Sequence, residues 1–227
     1  MADASTTLAS LRRQLAERFP TSHRVAGRRL LTGLAGFDEV TGGLPLAAVT
    51  EVVCAAPSCG SHLLLGQLLA ITRATRTRVA LIDATDGLDP ESFSDDLLAH
   101  VVWVRCPVPT PAPEQAARKA TRTTLALQAA DLLARDTNLG LVVLDLRHAP
   151  ETDLRRIPGP QWYRFQRAVE PTDLALLVFT PRPSVPSAQL RLVLSSTHDA
   201  EALVAERPAL ATALAPALQR QRLISAG

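Results

Sequence analysis

The sequence predicts an α/β fold in which a mostly parallel sheet is flanked by helices. Two observations support this class. Short apolar runs without alternation, typical of strands buried on both faces, recur along the chain, and stretches with helical periodicity separate them. The predicted strands are residues 48–54, 79–84, 101–104, 140–145, 174–179 and 189–194. The predicted helices of the core are residues 61–75, 91–99, 113–135 and 160–169.

The chain divides into three predicted segments. An N-terminal arm, residues 1–30, contains an amphipathic helix over residues 5–19. The core follows at residues 31–196, and residues 197–227 form a C-terminal extension that is predicted to be helical from about residue 199 to 222. An apolar stripe runs along the arm helix and suits docking in the apolar groove of a partner. Its members are Leu8, Leu11, Leu15 and Phe19.

Composition and charge limit the class of protein. Of the 227 residues, 47% are hydrophobic and 20% are charged, as in ordinary globular proteins, and the net charge of +2 does not require a nucleic-acid partner. Cys54, Cys59 and Cys106 form no C-x-x-C pair, so neither a zinc site nor a disulfide framework is indicated. No apolar run reaches the roughly 18 residues of a membrane span, and the N-terminus lacks a signal-peptide pattern. We therefore expect a cytoplasmic protein without membrane contact.

The octapeptide AAPSCGSH, residues 55–62, lies between a predicted strand and a predicted helix. A phosphate-binding loop occupies this position in P-loop ATPases, where its pattern is G-x-x-x-x-G-K-[ST]. Only the second glycine of that pattern, Gly60, is present. Three interpretations follow: a turn that keeps only its shape, an anion site at the helix N-terminus, or a working loop of variant sequence.

Four segments, in the same order and spacing, resemble the RecA family of recombination ATPases. Residues 31–45 (LTGLAGFDEVTGGLP) resemble the segment that precedes the P-loop of that family, and Glu51-Val52 matches the strand that enters the loop. Residues 81–90 (LIDATDGLDP) resemble its D-A-E-x-x-L-D-P stretch, and residues 141–145 (LVVLD) resemble its Walker B strand. The resemblance covers about residues 31–195 and implies a RecA-like, P-loop-type core.

Compared with that family, the nucleotide loop is degenerate. Ala55 stands in place of the first glycine. In a P-loop that glycine lets the backbone turn so that its N–H groups face phosphate. By the resemblance, Ser61 replaces the lysine that reaches the phosphates, and His62 replaces the hydroxyl that binds magnesium.

The acidic groups of the nucleotide site are reduced as well. Thr85 aligns with the catalytic glutamate of the family. Asp83 and Asp145, at the ends of two predicted strands, are either remnants of a magnesium site or caps of the turns that follow. Phosphoryl transfer depends on positioning and charge stabilisation, so these losses predict that the chain does not hydrolyse ATP. We expect no catalytic residues, no ATP or magnesium cofactor and no metal site.

Among RecA-like proteins, the chain resembles the ImuA group in length and in its terminal extensions. These are RecA-like accessory proteins of SOS-induced translesion DNA synthesis. The resemblance implies a non-catalytic role in DNA repair, with RecA, an ImuB-like homologue of Y-family polymerases and an error-prone replicative-type DNA polymerase as partners. Self-association through the arm is a further expectation, and the C-terminal extension is expected to hold the polymerase-side partner. Two alternatives remain: a SulA-like cell-division inhibitor that binds FtsZ, and an active RecA-like or KaiC-like ATPase with a variant P-loop.

One predicted helix carries a candidate surface for nucleic acid or a partner, because aromatic side chains beside arginines are typical of base-stacking surfaces. The candidate residues are Trp162, Tyr163, Arg164 and Arg167. An ordinary half-buried aromatic pair is the alternative explanation. Contact with DNA is left open, since residues 181–187 (PRPSVPS) are short where the RecA family has a mobile DNA-binding loop.

Overall fold

The computed structural model describes residues 28–107, 121–195, 197–198 and 201–221, and a seven-stranded sheet lies at the centre of this part of the chain. Its strands are β3 (Ala48–Cys54), β4 (Val79–Asp83), β5 (Val101–Arg105), β6 (Leu141–Asp145), β7 (Ala175–Thr180), β8 (Leu190–Leu194) and β9 (Ala217–Gln221). Two short strands, β1 (Arg29–Leu30) and β2 (Leu44–Pro45), form a separate antiparallel pair.

The strand order is β5-β4-β6-β7-β3-β8-β9. Every neighbouring pair from β5 to β8 is parallel, and β9 pairs with β8 in the antiparallel direction. Strands β4, β6 and β7 are buried along their whole length. Burial on both faces explains why these strands read as continuous apolar runs. The predicted α/β class with a mostly parallel sheet is confirmed.

Helices cover both faces of the sheet. They are α1 (Ala35–Thr41), α2 (Ser61–Ala74), α3 (Asp95–Leu98), α4 (Arg122–Leu133), α5 (Glu151–Arg156), α6 (Gly159–Val169) and α7 (Arg207–Thr212), with 3₁₀ turns at Pro90–Ser92 and Glu201–Val204. Val142 and Leu144 of β6 share one apolar cluster with α4 and α6. Leu141 and Val143 share the other cluster with α1, α2 and α7. The period-two alternation of the strand therefore divides the core into two layers.

The glycines and proline of residues 32–46 indicate turns, but this segment contains α1. The carboxylate of Asp38 accepts hydrogen bonds from the backbone N–H of Thr32 at 3.0 Å, the Thr32 hydroxyl at 2.9 Å and the N–H of Gly33 at 2.9 Å. The helix ends at Gly42, whose φ of 72° is left-handed. Because α1 is short and lies among glycines, its helical pattern is hidden in the sequence.

The buried face of α4 also differs from the predicted one. The sequence predicts that Leu125 and Leu132 face the core, but Leu132 is 73% exposed. The buried side chains are Thr123, Ala126, Leu127 and Ala130. Thr124, which the sequence also places on the apolar face, instead completes a capping box with Thr121 at the start of the helix. Small alanines on the inner face allow α4 to lie close to the sheet.

The predicted helix 91–99 is a 3₁₀ turn followed by the short α3. The C-terminal prediction of helix up to about residue 222 is wrong at residues 217–221, which form β9. Pro216 immediately precedes this strand and opposes continuation of a helix. Pairing with β9 satisfies backbone groups that an exposed edge of β8 would leave unpaired. Residues 217–221 thus belong to the same sheet as the core instead of a helical extension.

The predicted arm stripe, Leu8, Leu11, Leu15 and Phe19, lies outside the described residues, as does the first part of the predicted helix 113–135. Among the residues that are described, no helix is both long enough and apolar enough to cross a membrane.

Candidate functional site

The loop of residues 55–60 joins the end of β3 to the start of α2 at the carboxyl edge of the sheet. The predicted strand–turn–helix arrangement is confirmed here. Gly60 precedes α2 with a φ of 84°, where a Cβ atom would lie 2.5 Å from Leu214 Cδ1. The N–H of Ala55 donates to the carbonyl of Leu194 at 3.0 Å, and the N–H of His198 donates to the carbonyl of Ser58 at 3.1 Å. The strand β8 and the C-terminal segment therefore hold the loop.

Asp83 and Asp145 end the neighbouring strands β4 and β6, where they are register partners. The Asp83 carboxylate accepts backbone N–H groups of Thr85 at 3.2 Å, Gly87 at 3.0 Å and Leu88 at 2.9 Å. Asp83 thus caps the turn after β4. Thr85, which was expected to align with a catalytic glutamate, is half-buried, and its carbonyl accepts a hydrogen bond from Arg122 Nη1 at 2.7 Å.

Arg147 engages Asp145 and Ser61 at the same time. Its Nε donates to both carboxylate oxygens of Asp145 at 2.9 and 3.1 Å, and its Nη2 donates to Asp145 Oδ2. Its Nη1 donates to Ser61 Oγ at 2.6 Å. The side chains of Arg147 and Asp145 are only 4% and 6% exposed, so this is a buried ion pair. The guanidinium also lies 5.2 Å from the centre of the Phe179 ring.

Sequence reasoning missed Arg147. The sequence does contain one signal: Arg147 follows Asp145, the last residue of a buried strand, by two positions. A buried acid needs a partner, and a nearby arginine is a candidate. Ser61 lies 86 residues away from Arg147 along the chain, so no local pattern indicates their contact.

A cavity of about 720 Å³ opens above the loop. Residues 54–63 form its floor, and the remaining walls are Arg147, His148, Pro181, His198, Ala202 and Leu210. His62, the residue of α2 that follows Ser61, stacks on Phe93 with ring centres 6.4 Å apart. Burial, aided by the positive charge of Arg147, lowers the pKa of His62, which favours a neutral imidazole.

Two thiols, Cys54 and Cys59, line this cavity, and Cys54 Sγ donates to the carbonyl of Val52 at 4.0 Å. The neighbouring Cys54 thiol, the polar groups of Ser61 and the positive charge of Arg147 outweigh the effect of burial on Cys59. They lower the pKa of Cys59 to about 6. The same thiol pair, together with burial, raises the pKa of Cys54 above the usual thiol range.

The candidate surface on α6 is only partly exposed. Trp162 is buried and packs edge-on against Phe165 with ring centres 5.8 Å apart, so its assignment to an exposed stacking surface is corrected. The helical spacing turns its side chain inward, toward the core. Tyr163, Arg164 and Arg167 are exposed and line a shallow groove of about 510 Å³ with Arg135, Pro160 and Ala168. Arg164 Nη2 donates to Asp131 at 2.5 Å.

Within the described ranges, no group of three or more His, Cys, Asp or Glu side chains is placed to hold a metal ion. The fold and the site together define an α/β protein in which the buried Arg147 donates hydrogen bonds to Asp145 and to the hydroxyl of Ser61, beside the loop between β3 and α2. A scan against protein-family models finds no match to this chain, and a search of curated proteins finds none either.

Proposed function

We propose that this chain is a RecA-like accessory protein that acts by binding other proteins and does not hydrolyse a nucleotide. The observation that carries the proposal is the engagement of Asp145 and Ser61 by Arg147 beside the loop. Both oxygens of Asp145 and the hydroxyl of Ser61 accept hydrogen bonds from this one guanidinium.

The residues of the loop do not fit a magnesium nucleotide. A P-loop presents a lysine to the phosphates, a hydroxyl to the metal and a free strand-end carboxylate nearby. Here the lysine position holds Ser61 and the hydroxyl position holds the imidazole of His62. A metal at Asp145 would have to displace a buried guanidinium and leave its charge without a partner.

The partners that we propose follow from the resemblance of residues 31–195 to the RecA family. They are RecA, an ImuB-like homologue of Y-family polymerases, an error-prone replicative-type DNA polymerase and a second copy of this chain. The proposed setting is the cytoplasm during translesion DNA synthesis. The exposed part of α6, with Tyr163, Arg164 and Arg167, is the proposed partner surface on the core, and the N-terminal stripe is the proposed docking arm.

ATP hydrolysis by the purified chain is expected to lie at the level of the protein-free blank. Each missing group in such a site typically contributes about 10²–10⁵ in rate, and several are absent together. Phosphate release at millimolar Mg-ATP is the measurement, with a P-loop ATPase assayed in parallel to set the detection limit. Magnesium-dependent turnover that disappears in Asp145→Asn would support the variant ATPase and overturn the proposal.

Replacing Leu11 and Leu15 together by Asp is expected to weaken binding to RecA or to a second copy of this chain at least about tenfold, because two anchors of an apolar interface become charged. Biolayer interferometry with each purified partner measures the loss. The matched control is Ser10→Asp with Gln14→Asp, which adds the same charge off the stripe. Equal affinity of the two double variants would contradict the role of the arm. Binding to FtsZ in place of RecA and the ImuB-like protein would favour the cell-division inhibitor.

A further inference from the structure

Helices α4 and α6 pack side by side, and two shallow grooves lie along their outer surface. One groove has a volume of about 590 Å³ and the other of about 510 Å³, and Arg164 lines both. We call the two together the α4–α6 groove. The residues that give it its chemistry are Asp131, Leu132, Arg135, Tyr163, Arg164 and Arg167. Positions 131, 132 and 135, and likewise positions 163, 164 and 167, have the spacing of a single helix face.

The α4–α6 groove exposes two large side chains with apolar surface. Leu132 is 73% exposed and Tyr163 is 46% exposed, although the opposite faces of both helices are buried in the core. Tyrosine and arginine together are enriched at protein interfaces, where buried apolar anchors supply most of the affinity. Covering Leu132 and Tyr163 with an apolar side chain of a partner removes this surface from water and favours binding.

The charges around these apolar side chains are mostly positive. Arg135, Arg164 and Arg167 line the groove, together with one carboxylate, that of Asp131. Arg164 Nη2 donates to Asp131 at 2.5 Å and Arg135 Nη2 donates to it at 3.4 Å, and the Asp131 side chain is only 13% exposed. Arg167 has no ion-pair partner among the described residues. The groove therefore has an excess of positive charge, which an acidic ligand would complement.

The long segments of this chain outside the described ranges carry the wrong charge for the groove. Residues 1–27 contain four arginines and two acids, and residues 108–120 contain one arginine, one lysine and one acid. Both segments are basic, so the arginines of the groove repel them, whether they belong to the same chain or to a second copy. The complementary occupant is therefore an acidic segment of a different protein.

A protein segment also fits the groove better than a nucleic acid does. Because Trp162 is buried, Tyr163 is the one aromatic side chain among the described residues that line the groove. Surfaces for single-stranded nucleic acid combine stacked aromatic rings with a continuous track of cations. Here the Asp131 carboxylate interrupts the arginines, and Leu132 offers aliphatic surface that phosphates and sugars do not need.

We propose that the α4–α6 groove binds an acidic amphipathic helix of a partner protein. An apolar side chain of that helix packs on Leu132 and Tyr163, and its carboxylates pair with Arg164 and Arg167. Helix α6 has 11 residues and is about 16 Å long, so a partner helix of about three turns covers it. This inference rests on the proposed function only in that the chain acts by binding other proteins, and it adds the chemistry of the segment that is bound.

Selection of displayed peptides on the purified full chain tests the chemistry of the occupant. The probe is a library of random peptides of about 14 residues, which are long enough to cover α6 as a helix. The enriched peptides are expected to be net acidic, with apolar residues three and four positions apart. Enrichment of neutral or basic peptides, or no enrichment at all, would overturn the proposal.

Fluorescence anisotropy with the most enriched peptide, labelled with fluorescein, locates the site on the full chain. Leu132→Asp and Arg167→Glu are each expected to weaken binding at least about tenfold, because one charges the apolar anchor and the other reverses a complementary charge. Both positions are exposed, so the urea unfolding midpoint should stay at the wild-type value. The matched controls are Leu31→Asp and Arg76→Glu, at exposed positions beside α1 and α2 in the other layer of helices. Equal affinities of the groove variants and the controls would place the peptide elsewhere and refute the groove.

Charge reversal and two other probes separate the possible occupants. A peptide whose acids are changed to lysine should bind Arg167→Glu more tightly than it binds the wild type, the reverse of the original order. A fluorescein-labelled single-stranded oligonucleotide should be affected equally by Arg167→Glu and Arg76→Glu, and a peptide of residues 1–27 should not respond to Leu132→Asp. A larger loss of oligonucleotide binding in Arg167→Glu would favour a nucleic acid, and binding of residues 1–27 that Leu132→Asp abolishes would favour a second copy. Either result would contradict the acidic partner. These measurements use neither ATP nor RecA, so their outcome is independent of the tests of the proposed function.

Discussion

Replacing Arg147 by Met is expected to lower the free energy of unfolding by about 3–5 kcal/mol, because it leaves the buried carboxylate of Asp145 without its counter-charge. Both side chains are almost fully buried, and three guanidinium nitrogens donate to Asp145 or Ser61. Urea unfolding measures the change through the midpoint at constant m-value. The variant also loses the contact of the guanidinium with the Phe179 ring.

Two controls assign this loss to the ion pair. Asp145→Asn combined with Arg147→Met should recover most of the stability, since it removes the charge that the single variant strands. Arg155→Met removes an exposed arginine that pairs with Glu151 on α5, and it should change stability by less than about 1 kcal/mol. Equal effects of the Arg147 and Arg155 substitutions would mean that Arg147 does not neutralise a buried acid.

Replacing Glu51 by Ala is expected to destabilise the fold by a similar amount, about 3–5 kcal/mol. The Glu51 side chain is fully buried in β3, and its Oε2 accepts from Arg191 Nε at 2.5 Å. Its Oε1 accepts from the Thr180 hydroxyl at 2.9 Å and from the backbone N–H groups of Ser184 at 2.6 Å and Val185 at 3.1 Å. The substitution leaves all these donors without an acceptor.

Hydrogen exchange identifies the segment that Glu51 organises. The amides of Ser184 and Val185, in the connection between β7 and β8, should exchange faster in Glu51→Ala than in the wild type. Glu51→Gln keeps an acceptor at Oε1 but loses the charge opposite Arg191, so its destabilisation should be smaller, about 1–3 kcal/mol. Glu39→Ala, at an exposed position, is the matched control and should be nearly neutral. Unchanged exchange at Ser184 and Val185 would contradict this role for Glu51.

The Glu51 network also bears on the connection of residues 181–187. The sequence indicates only that this segment is short where the RecA family has a mobile loop. The structure adds that its backbone is hydrogen-bonded to a buried carboxylate, and that Arg191 Nη2 donates to the carbonyl of Val185 at 2.9 Å. A segment held in this way is fixed by the core of the protein.

Much of the fold was predictable because the signal is local. The strands of the parallel sheet are buried on both faces, so continuous apolar runs identify them without knowledge of their neighbours. The errors occur where that signal fails. β9 forms because β8 offers an edge, α1 is stabilised by Asp38 and hidden by glycines, and α4 turns a face of small residues inward.

The candidate site was predictable in position but not in chemistry. The loop at residues 55–60 lies where the strand–helix boundary places it, and Asp83 caps a turn by contacts within five residues. Arg147 and its contacts with Asp145 and Ser61 were missed. Their significance depends on which side chains meet in space, and a spacing pattern carries no such information.

By itself, the sequence determined the class of the fold, most strand positions, the turn between β3 and α2, and the absence of the lysine and hydroxyl of a P-loop. These features depend on residue type and on short-range periodicity. Only the tertiary structure decided that one guanidinium joins Asp145 to Ser61, that a cavity opens above the loop, and that β9 completes the sheet. The physical reason is that the partner of a buried charge or of an unpaired strand edge is selected by three-dimensional packing, which brings together residues far apart in the chain.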